Sequence, residues 1–391
     1  MTSSEIDYRK QAVSALLKEN PTIIGRDAAQ VLGISESAFR RYKKKLFEEK
    51  TGVLSNIQTN RYRRAYEDLK AHTRKLEAAL EAKDTELQSY AAISDTPKIS
   101  KINVSDKTKT EVVPVIVASD WHIEETVTSA ITNGLNEYNL DIAEDSIKQF
   151  FSKACDMVED TKSTHTVNTV VLAILGDIIN GVLRNEDLES NQVTSIDAIT
   201  LARSLIYSGI KMMHQRIGCD LRVLCCVGNH GRMTEKIHYS NQIHQSLEYL
   251  LYKTLERDFR DVPGIKFHVS ESYYVIQPIF GVRVRFHHGH SIKFHGGIGG
   301  IAVPVLRKMA QMNTIEEADL DVIGHFHSSQ MFNNVIVNGS LVGSNGFSMS
   351  LGLPHDIPKQ TYFEIDSKYG RTTVRPICID REVKKNIIEA I

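Results

Sequence analysis

Five apolar runs in this chain each stop at a carboxylate, an amide or an imidazole, and this repetition restricts the fold more than any other feature. VPVIVAS runs into Asp120-Trp121-His122, TVVLAIL into Gly176-Asp177, and LRVLCCV into Gly228-Asn229-His230. Farther on, VRVRF leads to His287-His288-Gly289-His290, and DLDVI leads to Gly324-His325-Phe326-His327. Short apolar runs bounded by turn residues predict buried strands, and the longer amphipathic stretches between them predict helices, so the class is α/β. Sheets of that class gather ligands outside the carboxyl ends of their strands. Five such ends predict one polar site. A lone histidine is more often a structural residue than a ligand, but a series of five polar strand ends leaves little room for that reading.

The donor types point to metal chemistry. Aspartate and histidine are hard-to-borderline ligands for Mn, Fe, Zn or Mg, and one carboxylate can bridge two ions about 3.5 to 4 Å apart. Such a pair lowers the pKa of bound water toward neutrality, which creates a hydroxide able to attack phosphorus in line while the cations neutralise the phosphate oxygens. The expectation is two divalent ions, with manganese first and Fe, Zn or Mg as alternatives.

In the order DxH, GD, GNH, HG(H) and GHxH, spread over about residues 112–345, the chain resembles the calcineurin-like metallophosphoesterase superfamily. That resemblance implies a β-sandwich flanked by helices, in α/β/β/α layers. It implies that Asp120, His122 and His327 hold the first metal, that Asn229, His288 and His325 hold the second, and that Asp177 bridges them. His230 would be catalytic rather than a ligand, standing beside the leaving oxygen to donate a proton. The SDWH opening and GHFH ending resemble the SbcD-type branch of DNA nucleases. Protein Ser/Thr phosphatases carry GDxxDRG and GNHE, whereas this chain has GDIINGV and GNHGR. Gly231 thus replaces the acid that usually orients the histidine, and Glu235 is a candidate substitute. Arg232 reads equally as a phosphate clamp or a surface arginine. Strand alternation sends His287 to the opposite face from His288, leaving His290 as the better neighbour of the metal ligands. After GHFH, the small residues of VIVNGSLVGSNGFS could let a substrate approach closely, and the closing YFEI and TTVRPICI segments alternate like edge strands.

Ahead of this region, residues 7–20 carry a helical stripe of Ala12, Val13, Leu16 and Leu17 that Pro21 stops. A second helix is expected from about Arg26 to Leu32, then a turn at Gly33, then a third helix capped by Ser35 and running through Phe39, Tyr42 and Leu46. DAAQVLGISESAFRRY resembles a helix-turn-helix, and its third helix bears Arg40, Arg41, Lys43, Lys44 and Lys45, a cluster suited to phosphates or base edges. A protein-docking three-helix module is the competing reading. Between about residues 57 and 90, Tyr66, Leu69, Leu76, Leu80, Leu87 and Tyr90 fit a heptad seam that would pair copies of the chain, against a lone spacer helix. The expected organisation is a helix-turn-helix module at 1–52, a coiled-coil-like segment at 53–92, a linker at 93–111, the phosphoesterase domain at 112–380 and a charged surface tail at 381–391.

Composition narrows the partners. A net charge of -1 over 391 residues offers no global attraction to polyanions, so nucleic-acid affinity must be local. Five cysteines without CxxC spacing argue against a disulfide framework and for a reducing cytoplasm. No run approaches the ~18 apolar residues of a membrane span. The leading function is a metal-dependent phosphodiesterase acting on nucleic acid, DNA before RNA. Its rivals are a small-molecule phosphoesterase, taking cyclic nucleotides or monoesters, and an inactive DNA-binding regulator. The architecture also resembles proteins carried by bacteriophages, which would place it in the host cytoplasm.

Overall fold

The structure is a computed structural model that describes residues 3–48, 99–103, 110–294, 300–350 and 355–381. The heptad segment at 57–90 and most of the GGIGG loop lie outside the described residues. The chain divides into two compact units, Met1–Ser94 and Asp95–Ile391.

In the first unit, helix α1 (Ser3–Glu19) ends just before Pro21, as a residue without an amide hydrogen requires. Helix α2 (Gly25–Val31) buries Ala28 and Ala29. Gly33 then takes the left-handed conformation, φ 60°, and Ser35 Oγ accepts from the Ala38 amide at 3.3 Å to start α3, described over 36–48. The three helices enclose Val13, Ala28, Ala29, Phe39 and Tyr42. Alanines at 28 and 29 let backbones approach closely enough for Phe39 to be covered.

The second unit holds two sheets flanked by helices. Strands β1 (Val112–Ala118), β2 (Thr169–Ile174) and β3 (Asp220–Cys225) are parallel neighbours, and β4 (Ile265–Val269) continues them. In the second sheet β5 (Val275–Ile279) pairs antiparallel with β6 (Val282–His287), which lies parallel to β7 (Leu320–Ile323). The short β8 (Gln330–Phe332) and β9 (Val335–Val337) complete it. The last strands, β10 (Lys359–Asp366) and β11 (Gly370–Cys378), return to the first sheet. The first sheet therefore runs β11-β10-β1-β2-β3-β4 and the second β5-β6-β7-β9-β8.

Side chains alternate between two apolar layers. Val113, Val115 and Val117 of β1, with Val171 and Ala173 of β2, meet Val284, Phe286, Leu320 and Val322 of the second sheet in one cluster. Ile116, Val170, Leu172 and Ile174 face the opposite way, into a cluster shared with the helices. Strands buried on both faces explain why these runs read as continuously apolar rather than alternating. Helix α4 (Leu140–Thr164), capped by Asn139 accepting from Ile142, supplies Ile147, Phe150, Phe151 and Ala154 to the outer cluster. Each buried aromatic of that stripe contributes roughly 1.5–3 kcal/mol. The short α5 (Asn185–Ser190) is followed by α6 (Ser195–Ile217) and α7 (Leu247–Asp258), and α6 and α7 add Ile206, Ile210, Leu251 and Leu255 to the same layer. Helix α8 (Ala302–Asn313) covers the second sheet through Val305 and Met309.

Three details differ from the sequence-based expectation. Of the two segments expected at sheet edges, β10 is interior, paired with β1 on one side, and β11 alone is the edge. The expected linker contributes Ile102, which is buried and exchanges backbone hydrogen bonds with the β5–β6 turn. Arg381, expected in a surface tail, lies over the Tyr138 ring at 4.9 Å and donates to Asn136 and Val342. Its long apolar stem and many donors suit it to tie this end of the domain to the core.

Candidate metal centre

The polar residues after β1, β2, β6 and β7 converge into two Asp/His clusters, Asp120–His122–His327 and Asp177–His288–His325, within each of which the donor atoms all lie inside 4.8 Å. The backbone is bent to make them. Among the described residues, non-glycine positions with positive φ include Asp120 at 56°, His122 at 41°, Asp177 at 50°, His325 at 73° and His327 at 54°. Left-handed backbone costs an ordinary residue on the order of 1–3 kcal/mol and persists only where the surroundings impose it, typically at functional sites. Adjacent glycines let the carboxylates be approached. A Cβ on Gly228 would sit 2.0 Å from Asp177 Oδ1, and one on Gly324 would sit 2.5 Å from Asp120 Oδ2.

In the first cluster His122 Nε2 and His327 Nε2 are 3.1 Å apart, and His327 Nε2 is 3.5 Å from Asp120 Oδ1. His122 Nδ1 donates to Asn180 Oδ1 at 3.1 Å, which leaves Nε2 as the lone-pair nitrogen. Burial, together with the neighbouring His230 and His327, lowers the His122 pKa well below the usual value, so the ring is held neutral and ready to ligate. In the second cluster His288 Nδ1 donates to the Leu175 carbonyl at 2.7 Å, which turns Nε2 toward Asp177. That Nε2 lies 2.9 Å from Asp177 Oδ2; burial opposes a charge on the ring, but Asp177 outweighs it and raises the His288 pKa to about 9. A cation held between these two groups would take the place of that proton. Asn229 Oδ1 is buried with no hydrogen-bond partner. A dinuclear site fits this donor set, and the oxygen and nitrogen ligands favour a hard-to-borderline divalent ion.

The two aspartates differ. Burial raises the Asp120 pKa. It also opposes ionisation of Asp177, but the charges of His288 and His230 outweigh it and hold that carboxyl well below the usual range. Asp177 Oδ1 accepts from the His230 amide at 2.8 Å, and Asp120 accepts from the His325 amide at 3.0 Å through both oxygens. Each aspartate is therefore anchored to the strand end opposite it.

Several supports were not legible in the sequence. Asn180 accepts from His230 Nδ1 through its backbone carbonyl at 2.8 Å, so one residue orients both His122 and His230. This carbonyl takes the orienting role for which Glu235 was the candidate; the Glu235 carbonyl instead accepts from Arg232. Glu124 accepts from the Asn180 and Gly181 amides at 2.8 Å each, and burial pushes its pKa up to about 7. Behind Asp120, Ser340 Oγ donates to the Asp120 carbonyl at 2.8 Å, and Asn338 Nδ2 donates to Ser119 Oγ at 2.8 Å. Small residues after β9, expected to admit substrate, thus brace the ligand loop. A two-residue offset from a ligand, as in DWHIEE, is the one signal that could have flagged Glu124.

The remaining candidates separate. Arg232 is half-buried and donates to the Thr234 carbonyl at 2.7 Å, which ties it to its own loop. His290 accepts from Gln242 Nε2 at 2.7 Å, and its ring lies 5.6 Å from that of His288. Burial lowers its pKa to about 4, so it is neutral beside the ligands. His287 is buried, with its pKa lowered by burial to about 3. In the separate three-helix unit, Arg40, Arg41, Lys43, Lys44 and Lys45 are all exposed, and Arg40 pairs with Glu36 at 2.6 Å.

No known family profile and no curated protein sequence matches the chain. Among solved structures, a hypothetical protein from Pyrococcus horikoshii is 14% identical with a TM-score of 0.34, over 71% of this chain and 92% of that one. Vacuolar protein sorting 29 from Cryptosporidium parvum is 14% identical, TM-score 0.27, over 68% and 97%. A phosphopantetheinyl hydrolase from Mycobacterium tuberculosis is 10% identical, TM-score 0.25, over 62% and 93%. Among the described residues no helix is long and apolar enough to cross a membrane.

Proposed function

We propose that the chain is a two-metal phosphodiesterase of the calcineurin-like type whose substrate is nucleic acid, DNA before RNA. The observation that carries this reading is the pair of Asp/His clusters, built on strained strand ends with their ring nitrogens turned inward. Asp120, His122 and His327 would hold one cation, and His288, His325 and Asn229 the other. Asp177, a donor of the second cluster, would be the shared carboxylate, as the resemblance above implies. When bound, the cations, for which manganese is the first choice, supply a nucleophilic water and neutralise the phosphate.

The protein's own groups do the rest. His230, its Nδ1 fixed on the Asn180 carbonyl, stands edge-on to His122 with ring centroids 4.7 Å apart. Its Nε2 would deliver the proton to the leaving oxygen. What supports a polymeric substrate is the exposed basic helix 36–48, a suitable grip for phosphates outside the site. The SDWH and GHFH segments favour the SbcD-like branch on the resemblance above.

The test is metal-stripped protein reloaded separately with Mn²⁺, Fe²⁺, Zn²⁺ and Mg²⁺ and offered single-stranded DNA, duplex DNA, RNA, bis-p-nitrophenyl phosphate and p-nitrophenyl phosphate. Hydrolysis of diesters, with DNA cleaved best, is expected. Turnover of the monoester alone would replace the nuclease reading with a small-molecule phosphatase, and inertness with every ion would leave a regulator.

A further inference from the structure

We infer that Glu248 of α7 is the positioning residue for the second cation, and that Gly231 is glycine because Glu248 fills the space of its side chain. The inference rests on the two-cation reading above. Glu248 is fully buried, and its two oxygens reach two different ligand loops. Oε1 accepts from the Ile178 amide at 2.6 Å, and Oε2 accepts from the Gly228 amide at 2.7 Å. Ile178 follows Asp177, and Gly228 precedes Asn229. Asp177 Oδ1 accepts from the His230 amide, so the Asp177 loop, the 228–230 loop and Glu248 form one closed ring of hydrogen bonds.

The glycine belongs to the same arrangement. A Cβ at residue 231 would lie 2.7 Å from Glu248 Cγ and 2.9 Å from Ser246 Oγ, so position 231 and α7 compete for the same volume. The start of α7 is fastened at this place, because the Leu247 amide donates to the Gly231 carbonyl at 2.8 Å and Ser246 caps the helix. A carboxylate next to Asp177 is electrostatically unfavourable, and burial followed by the charge of Asp177 pushes its pKa up to about 8. Its two amide bonds, both to residues adjacent to ligands, are the compensation the structure provides. A glutamine there would turn an NH₂ toward one of those amides, and an alanine would leave both amides without an acceptor.

The experiment titrates metal-free full-length protein with Mn²⁺ by calorimetry, with circular dichroism as the check on folding. Wild type is expected to bind two cations. Glu248→Gln should weaken the second cation about 10- to 100-fold, the range for residues that orient metal ligands, and weaken the cation at Asp120, His122 and His327, which would share only Asp177 with it, distinctly less. Gly231→Ala, which leaves the carboxylate chemistry intact and only displaces it, should weaken the second cation less. Restoration of the second cation in Gly231→Asp combined with Glu248→Ala would support a positional role, which a merely structural residue would not show. Two cations bound with unchanged affinity in both Glu248→Gln and Gly231→Ala overturn the inference alone. Wild type that holds fewer than two overturns the reading beneath it and the inference with it.

Discussion

The three-helix unit and the two-sheet unit place their polar residues in opposite ways. In the first, Arg40 to Lys45 lie on one stretch of one helix, exposed, and no backbone distortion is spent on them. In the second, His122 and His327 are 205 positions apart and meet at 3.1 Å, on backbone that only a rigid surround can hold in the left-handed region. A site of the second kind is preorganised for one geometry, which chemistry on a bound phosphate requires. A surface of the first kind offers charge without a fixed pose, which suits grip rather than catalysis. The two-sheet unit should therefore set turnover on any substrate, and the three-helix unit should set only affinity for a long one.

The largest effect that could break this division is at Asp177. Asp177→Ala removes the carboxylate proposed to be shared by both cations, so turnover of every diester should vanish and metal content should fall below two per chain. Elemental analysis alongside the assay decides it, and full occupancy of both metals would overturn the ligand assignment. At His230 the effect should be smaller and of another kind. His230→Ala should keep its metals and lose about 10² to 10⁴ in turnover, the contribution of a general acid. Metal loss in that variant would move His230 among the ligands.

How much of the molecule is legible in its sequence follows from the same contrast. Strand ends and helix stripes are local patterns, so β1, β2, β3, β6 and β7 and the three front helices lie where period and turn residues put them. Asp120, Asp177 and the histidines stand out because each ends an apolar run. Their supports do not. Glu248 is adjacent to its partners only through the fold, being 70 positions from Ile178, and it occupies a stripe position of α7 with Leu251, Tyr252 and Leu255. A charge on an apolar stripe is the sole trace it leaves. Asn180 acts through its backbone carbonyl as well as its side chain, and a carbonyl has no sequence signature at all.

A core substitution in the front unit sharpens the comparison from the other side. Phe39 is nearly fully buried at the centre of the five-residue cluster, and Phe39→Ala should cost that unit about 3–5 kcal/mol, enough to unfold so small a core. Thermal unfolding should lose one transition while hydrolysis of bis-p-nitrophenyl phosphate stays at the wild-type rate. A matching loss of small-diester turnover would show that the two units do not act separately.

The smallest expected effect is also the one that tests the grip itself. Replacing Arg40, Arg41, Lys43, Lys44 and Lys45 with glutamine leaves the helix core untouched, because all five side chains are exposed. Each phosphate no longer gripped should flatten the plot of log affinity against log salt by about 0.9 on duplex DNA. The five should not count equally. Arg40 is already paired with Glu36 at 2.6 Å, whereas Lys44 is 3.9 Å from Glu48, so restoring Arg40 alone should recover less slope than restoring Lys44 alone. Arg41 and Lys43 lie over the Tyr42 and Phe39 rings, at 5.6 and 5.9 Å, which orients them without neutralising them. Those two should recover the most. Identical slopes for wild type and the fivefold variant would show that this helix does not touch nucleic acid, and the polymer would cease to be the favoured substrate while the metal centre stood unaffected.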